Sequence, residues 1–114
     1  LDRCRRYFQR YTNSSSSAFA TGINGIFNSD TQCCHAFPFQ KSMRTSPSFA
    51  ISQKSDFDLE PFDEEPSNPP SLFGTPSKEM AVIRCDSPTT RTRGFASMLT
   101  IDQAGGYFQF DAEL

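Results

Sequence analysis

Tyr107-Phe108-Gln109-Phe110-Asp111-Ala112-Glu113-Leu114 closes the chain and sets Phe108, Phe110, Ala112 and Leu114 against Tyr107, Gln109, Asp111 and Glu113. Successive side chains of a strand point to opposite faces, so this alternation predicts a strand with one buried face. Just upstream, Ala104-Gly105-Gly106 has the composition of a hairpin turn. Before it, Arg93 to Asp102 alternates Phe95, Ser97, Leu99 and Ile101 with Gly94, Ala96, Met98 and Thr100. Two alternating runs flanking glycines predict an antiparallel pair.

Working outward, Met80 to Asp86 separates Ala81, Ile83 and Cys85 from Met80, Val82 and Arg84, and Ser87-Pro88 then signals a turn. Thr31 to Gln40 puts Cys33, His35, Phe37 and Phe39 on one face, with Pro38 predicting an edge or a bulge. Ser48 to Ser52 reads as a short strand with Phe49 and Ile51 inward, and Ala18 to Asn28, interrupted by Gly22 and Gly25, as an irregular one. Arg3 to Tyr11 also reads as a strand, but neither face is purely apolar: Cys4, Arg6, Phe8 and Arg10 oppose Arg3, Arg5, Tyr7, Gln9 and Tyr11. The interval 54–78 holds Asp56, Asp58, Glu60, Asp63, Glu64 and Glu65 and is rich in proline, which predicts a long acidic loop. Roughly seven or eight short strands joined by turns predict an all-β fold, a small antiparallel β-sandwich or jelly roll.

Composition agrees. A chain of 114 residues is one domain, 1–114. Ser, Thr, Gly and Pro make up about a third of it, which disfavours long helices. A net charge of −2 argues against disorder. No apolar run approaches the roughly 18 residues of a transmembrane helix, so no membrane insertion is expected. Twelve Phe with no Trp can fill a thin sandwich core, and small β domains of this kind often recover stability by oligomerising. The cysteines, Cys4, Cys33, Cys34 and Cys85, are too sparse for a disulfide scaffold and are expected to be reduced and structural.

The chemistry in the sequence is thin. A zinc site from Cys33, Cys34, His35 and a distant cysteine lacks the usual spacer, so no metal or cofactor is expected. Cys34 and His35 point to opposite strand faces, leaving only a distant cysteine as a nucleophile partner for His35. Asp56, Asp58 and Glu60 offer hard oxygens at alternate positions, yet the glycine and terminal Glu of an EF-hand loop are absent. With one histidine, no Ser-His-Asp context and no phosphate-cradling glycine loop, no enzyme is expected. Arginines interleaved with Tyr7, Phe8 and Tyr11 suit single-stranded nucleic acid, but a pI near 5.3 points away from it.

Three stretches carry a resemblance. Cys4-Arg5-Arg6-Tyr7-Phe8-Gln9-Arg10, then Phe37-Pro38 with Met43-Arg44-Thr45-Ser46-Pro47, then Phe110-Asp111-Ala112-Glu113-Leu114 resemble, in order and approximate spacing, the C-terminal domains of tailed-bacteriophage tail fibre and related virion proteins. The acidic interval 54–78 departs from that pattern. The resemblance implies the C-terminal part of a longer virion structural protein, assembled in the host cytoplasm as a homotrimer with other virion proteins as partners. Such a domain would sit at the distal end of a tail fibre and contact a host-surface glycan or protein. The alternative is a purely structural role, such as capsid decoration or fibre assembly.

On that reading, Phe57, Asp58, Phe62, Asp63 and Glu64 of the middle loop are the candidate receptor contacts, because aromatic rings stack on sugar C–H faces and carboxylates accept hydroxyl protons. The competing reading has Phe57 and Phe62 anchoring the loop while the acids keep it soluble. Arg3, Arg5, Tyr7 and Tyr11 are the candidate subunit interface, since arginine and tyrosine suit partly wet contacts.

Overall fold

A computed structural model describes residues 7–13, 22–60 and 62–112. Within them the chain forms β1 (Phe8–Thr12), β2 (Gly22–Phe27), β3 (Gln32–Pro38), β4 (Ser48–Ile51), β5 (Phe57–Glu60), β6 (Ser71–Leu72), β7 (Met80–Asp86), β8 (Ala96–Ile101) and β9 (Tyr107–Asp111). A single 3-10 turn, Lys54–Asp56, precedes β5. A three-stranded sheet in the order β1-β9-β4 packs on a six-stranded sheet in the order β5-β8-β2-β3-β7-β6, and all pairings are antiparallel. The fold is a small antiparallel β-sandwich. No helix among the described residues is long and apolar enough to cross a membrane.

The predicted alternation decides what faces inward. Cys33, His35 and Phe37 of β3, Ala81, Ile83 and Cys85 of β7, Leu99 and Ile101 of β8, and Phe108 and Phe110 of β9 are all buried. Phe37 joins the two sheets. Its ring stacks on Phe110 at 5.4 Å and meets Phe108 edge-on at 5.3 Å and Tyr11 edge-on at 4.6 Å. Each such pair adds about 0.5 to 1.5 kcal/mol beyond the area it buries, which lets a core with few aliphatics hold the sheets together.

Four sequence expectations need correction. The interval 54–78 is not one loop: β5 is an edge strand of the larger sheet and β6 the opposite edge. Phe57 and Leu59 supply the buried alternate positions that hold β5 there, a period masked in sequence by the acids between them. Pro38 marks neither an edge nor a bulge. It closes β3, a central strand, on the side where the β2 ladder has already ended at Gly25 and His35, so its missing N–H leaves no bond unmade. Phe95 lies outside β8 and is 49% exposed, unlike the Ser97, Leu99 and Ile101 that follow it in alternation.

The last correction concerns β1. Gln9 is buried and Tyr11 packs on the core, stacked against Phe108 at 5.4 Å, so the face read as a subunit contact is the inner face of the sandwich. Tyr7 is half-buried with the Arg44 guanidinium 5.7 Å from its ring. Phe8 and Arg10 point outward instead, with Arg10 4.3 Å above the Tyr107 ring. Mixed polar and aromatic side chains made the two faces of β1 indistinguishable by pattern. Arg3 and Arg5 lie outside the described residues, as does Cys4.

Candidate functional site

Burial of Phe57 and Leu59 forces their neighbours Asp58 and Glu60 onto the outer face of the six-stranded sheet, since side chains alternate along β5. The chain then turns back on itself. Asp63 adopts φ 51°, a left-handed conformation that aspartate tolerates better than most residues. The turn closes with the Leu59 N–H donating to the Glu64 carbonyl at 2.7 Å. This geometry returns the Asp63 carboxylate to Asp58 and Glu60, and ligating oxygens of all three lie within 4.8 Å of one another.

Like charges this close resist ionisation. Burial pushes the Asp58 carboxyl up to about 7, and Asp102, within hydrogen-bonding reach, adds to the shift along with Asp63 and Glu60. Burial also raises Glu60, aided by Asp63 and Asp102, while the Asp63 backbone N–H works against the rise. Near neutrality a protonated Asp58 can therefore donate a hydrogen bond as well as accept one. The hard oxygens of the cluster are also the type that hold a calcium-like cation.

The other proposed contact residues divide differently. Phe57 is fully buried and has no surface to offer a ligand, which corrects its place among the contacts. Phe62 is half-buried, edge-on to Phe27 at 5.8 Å, with the Arg91 guanidinium 3.9 Å above its ring. Glu64 is bound in place by Arg91 at 2.9 Å and accepts the Ser87 hydroxyl at 2.6 Å. The two phenylalanines thus anchor the segment, and Asp58 and Asp63 remain available. Glu60 completes the cluster in place of Glu64, while Asp56 accepts hydrogen bonds from Ser52 at 2.6 Å and Gln53 at 3.3 Å. Asp102 carried no sequence signal at all, because it arrives from the end of β8 through the β5–β8 pairing.

The cysteines and the histidine form no comparable site. Cys33, Cys34 and Cys85 carry free thiols, and Cys33 pairs directly with Cys85 across the β3–β7 ladder. His35 is fully buried, with Nε2 3.2 Å from the Ser97 hydroxyl, and burial lowers it to about 4. That contact crosses over Gly25, which sits between His35 and Ser97 in the sheet. A Cβ there would collide with the Cys34 carbonyl and come 2.6 Å from the His35 ring. Elsewhere, a groove of about 380 Å³ runs between β4 and β6, lined by Phe49, Ala50, Ile51, Pro70, Ser71 and Leu72.

No protein-family profile matches the chain, and no curated protein or solved structure is significantly similar to it.

Proposed function

We propose that this chain is a bacteriophage virion domain, the distal part of a tail fibre, and that it contacts a host-surface glycan through Asp58 and Asp63, with the buried Glu60 completing the cluster behind them. One observation carries the reading. The stretches that resemble virion proteins, remote in sequence, meet in one place. Gln9 Nε2 donates to Met43 Sδ at 3.1 Å and to the Lys41 carbonyl at 3.2 Å. The Ala112 N–H donates to the Tyr7 carbonyl at 2.7 Å, Ser48 pairs with Asp111, and Phe37 stacks on Phe110. Residues that touch one another would be retained together as a scaffold. The segment that departs from the resemblance carries the accessible acids, which is where binding groups are usually mounted on a rigid β framework.

The same packing favours a second reading, in which the whole chain is architectural and serves capsid decoration or fibre assembly. Competition of host adsorption by the isolated chain separates the two. The native chain should inhibit adsorption, and D58N/E60Q/D63N should lose that inhibition without a lower melting temperature. Equal inhibition by the triple variant would remove the carboxylates from the contact, and no inhibition by either would favour the architectural role.

A further inference from the structure

Cys33 and Cys85 stand opposite each other across the β3–β7 ladder, and both side chains are buried on the inner face of the six-stranded sheet. The Ser87 N–H donates to the Thr31 carbonyl beyond one end of that ladder, and the Phe39 N–H to the Glu79 carbonyl beyond the other. Hydrogen-bonded pairs recur at every second position, so Cys33 and Cys85 form one of them. Such a pair holds its Cα atoms about 5.5 Å apart, inside the window of roughly 4.4 to 6.8 Å that a disulfide spans. The two Cβ atoms leave the sheet on the same side, and the thiols already lie within hydrogen-bonding reach of each other. Cys33 Sγ also donates to the Cys85 carbonyl at 3.4 Å.

We propose that Cys33 and Cys85 form a redox-modification site, at which a peroxide converts the thiol pair into a reversible cross-link between β3 and β7. Cys33 is the nucleophile. The Cys85 thiol donates to it and lowers its pKa in spite of burial, while the same contact, together with burial, raises Cys85. The Cys33 sulfur attacks one peroxide oxygen and the O–O bond breaks, leaving a sulfenic acid and releasing one water. The Cys85 sulfur then attacks the Cys33 sulfur. The S–S bond forms as the S–O bond breaks, and the hydroxyl leaves with the Cys85 proton as a second water. Two thiols are oxidised and one peroxide is reduced. Access follows from position: the half-buried Gln32 and Asp86 make the last rung of the ladder and the cysteines the next, where fraying of the sheet end admits a small oxidant. Cys34 points to the opposite face and takes no part. The linked residues are 52 positions apart, so the bond restricts the unfolded chain and the oxidised form resists melting. The inference rests on this register and does not depend on the virion reading.

Hydrogen peroxide treatment of the Cys4→Ser/Cys34→Ser chain tests it, because only the proposed pair then remains. The intact mass should fall by two hydrogens, the peptides holding Cys33 and Cys85 should stay joined until a thiol reductant is added, and the melting temperature should rise. The native chain, treated and digested in the same way, should give a linked peptide whose fragments place the bond at Cys33 rather than Cys34. Oxygen added to separate peptides, thiols that stay unreacted in the folded chain, or a cross-link that forms only in denaturant would each overturn the proposal.

Discussion

The Phe37 node and the Asp58 cluster sit in the same sandwich and obey opposite rules. At the node, rings from both sheets are buried against one another, and every contact favours the folded state. At the cluster, carboxyls are held together against their mutual repulsion, and the shift of Asp58 to about 7 records the strain. The difference shows where packing holds this chain together and where electrostatic repulsion works against it. Bringing Asp58, Glu60 and Asp63 within 4.8 Å of one another works against stability through their mutual repulsion. The cluster persists because Phe57 and Leu59 below it, and the Arg91 anchor beside it, fix the backbone regardless of the repulsion.

The largest expected effect lies at the node. Phe110→Ala should cost about 3 to 5 kcal/mol in urea unfolding, since it opens a cavity where Phe37, Phe39, Phe49 and Phe108 converge. A cost below about 1 kcal/mol would mean that the sheets are joined elsewhere. An intermediate effect belongs to the anchor. Arg91→Ala removes the partner of a partly buried Glu64 and the cation over Phe62, and should cost about 1 to 3 kcal/mol by the same measurement. If the proposed glycan contact holds, it should also weaken competition of host adsorption, because the turn that carries Asp63 loses its clamp.

The smallest effect reverses sign. Asp58 is protonated in the folded chain up to about pH 7 but ionises near 3.8 when unfolded, so between these values the folded state binds the extra proton and its stability falls as pH rises. His35 acts oppositely: lowered from 6.5 to about 4, it binds fewer protons when folded, and its contribution rises with pH across that interval. Asp58→Asn removes only the first contribution. Thermal melts of both proteins should therefore give a difference, native minus variant, that declines from about pH 4 to pH 7, with the variant the more stable above pH 7. A flat difference would mean that the cluster is unstrained.

Much of the scaffold was legible because alternation is local. Ala81, Ile83 and Cys85, or Phe108, Phe110 and Ala112, declare their buried face within a few residues, and glycine or proline signals place the turns between. Where apolar and polar residues do not separate cleanly, legibility failed. The faces of β1 both carry aromatic and polar groups, and β5 hides two core residues among acids. The candidate site is half legible: composition points to Asp58 and Asp63, but it leaves Phe57 open between a ligand contact and the anchor that its full burial makes it.

By itself the sequence determined an all-β chain, the faces of most of its strands and a concentration of acids in one segment, because side-chain period along a strand depends only on neighbouring residues. The tertiary structure alone decided that β9 stands between β1 and β4, that β5 borders β8, and that Asp58, Glu60, Asp63 and Asp102 converge. Pairing register joins residues far apart in the chain, and its energy resides in contacts that do not exist until both strands have been brought together.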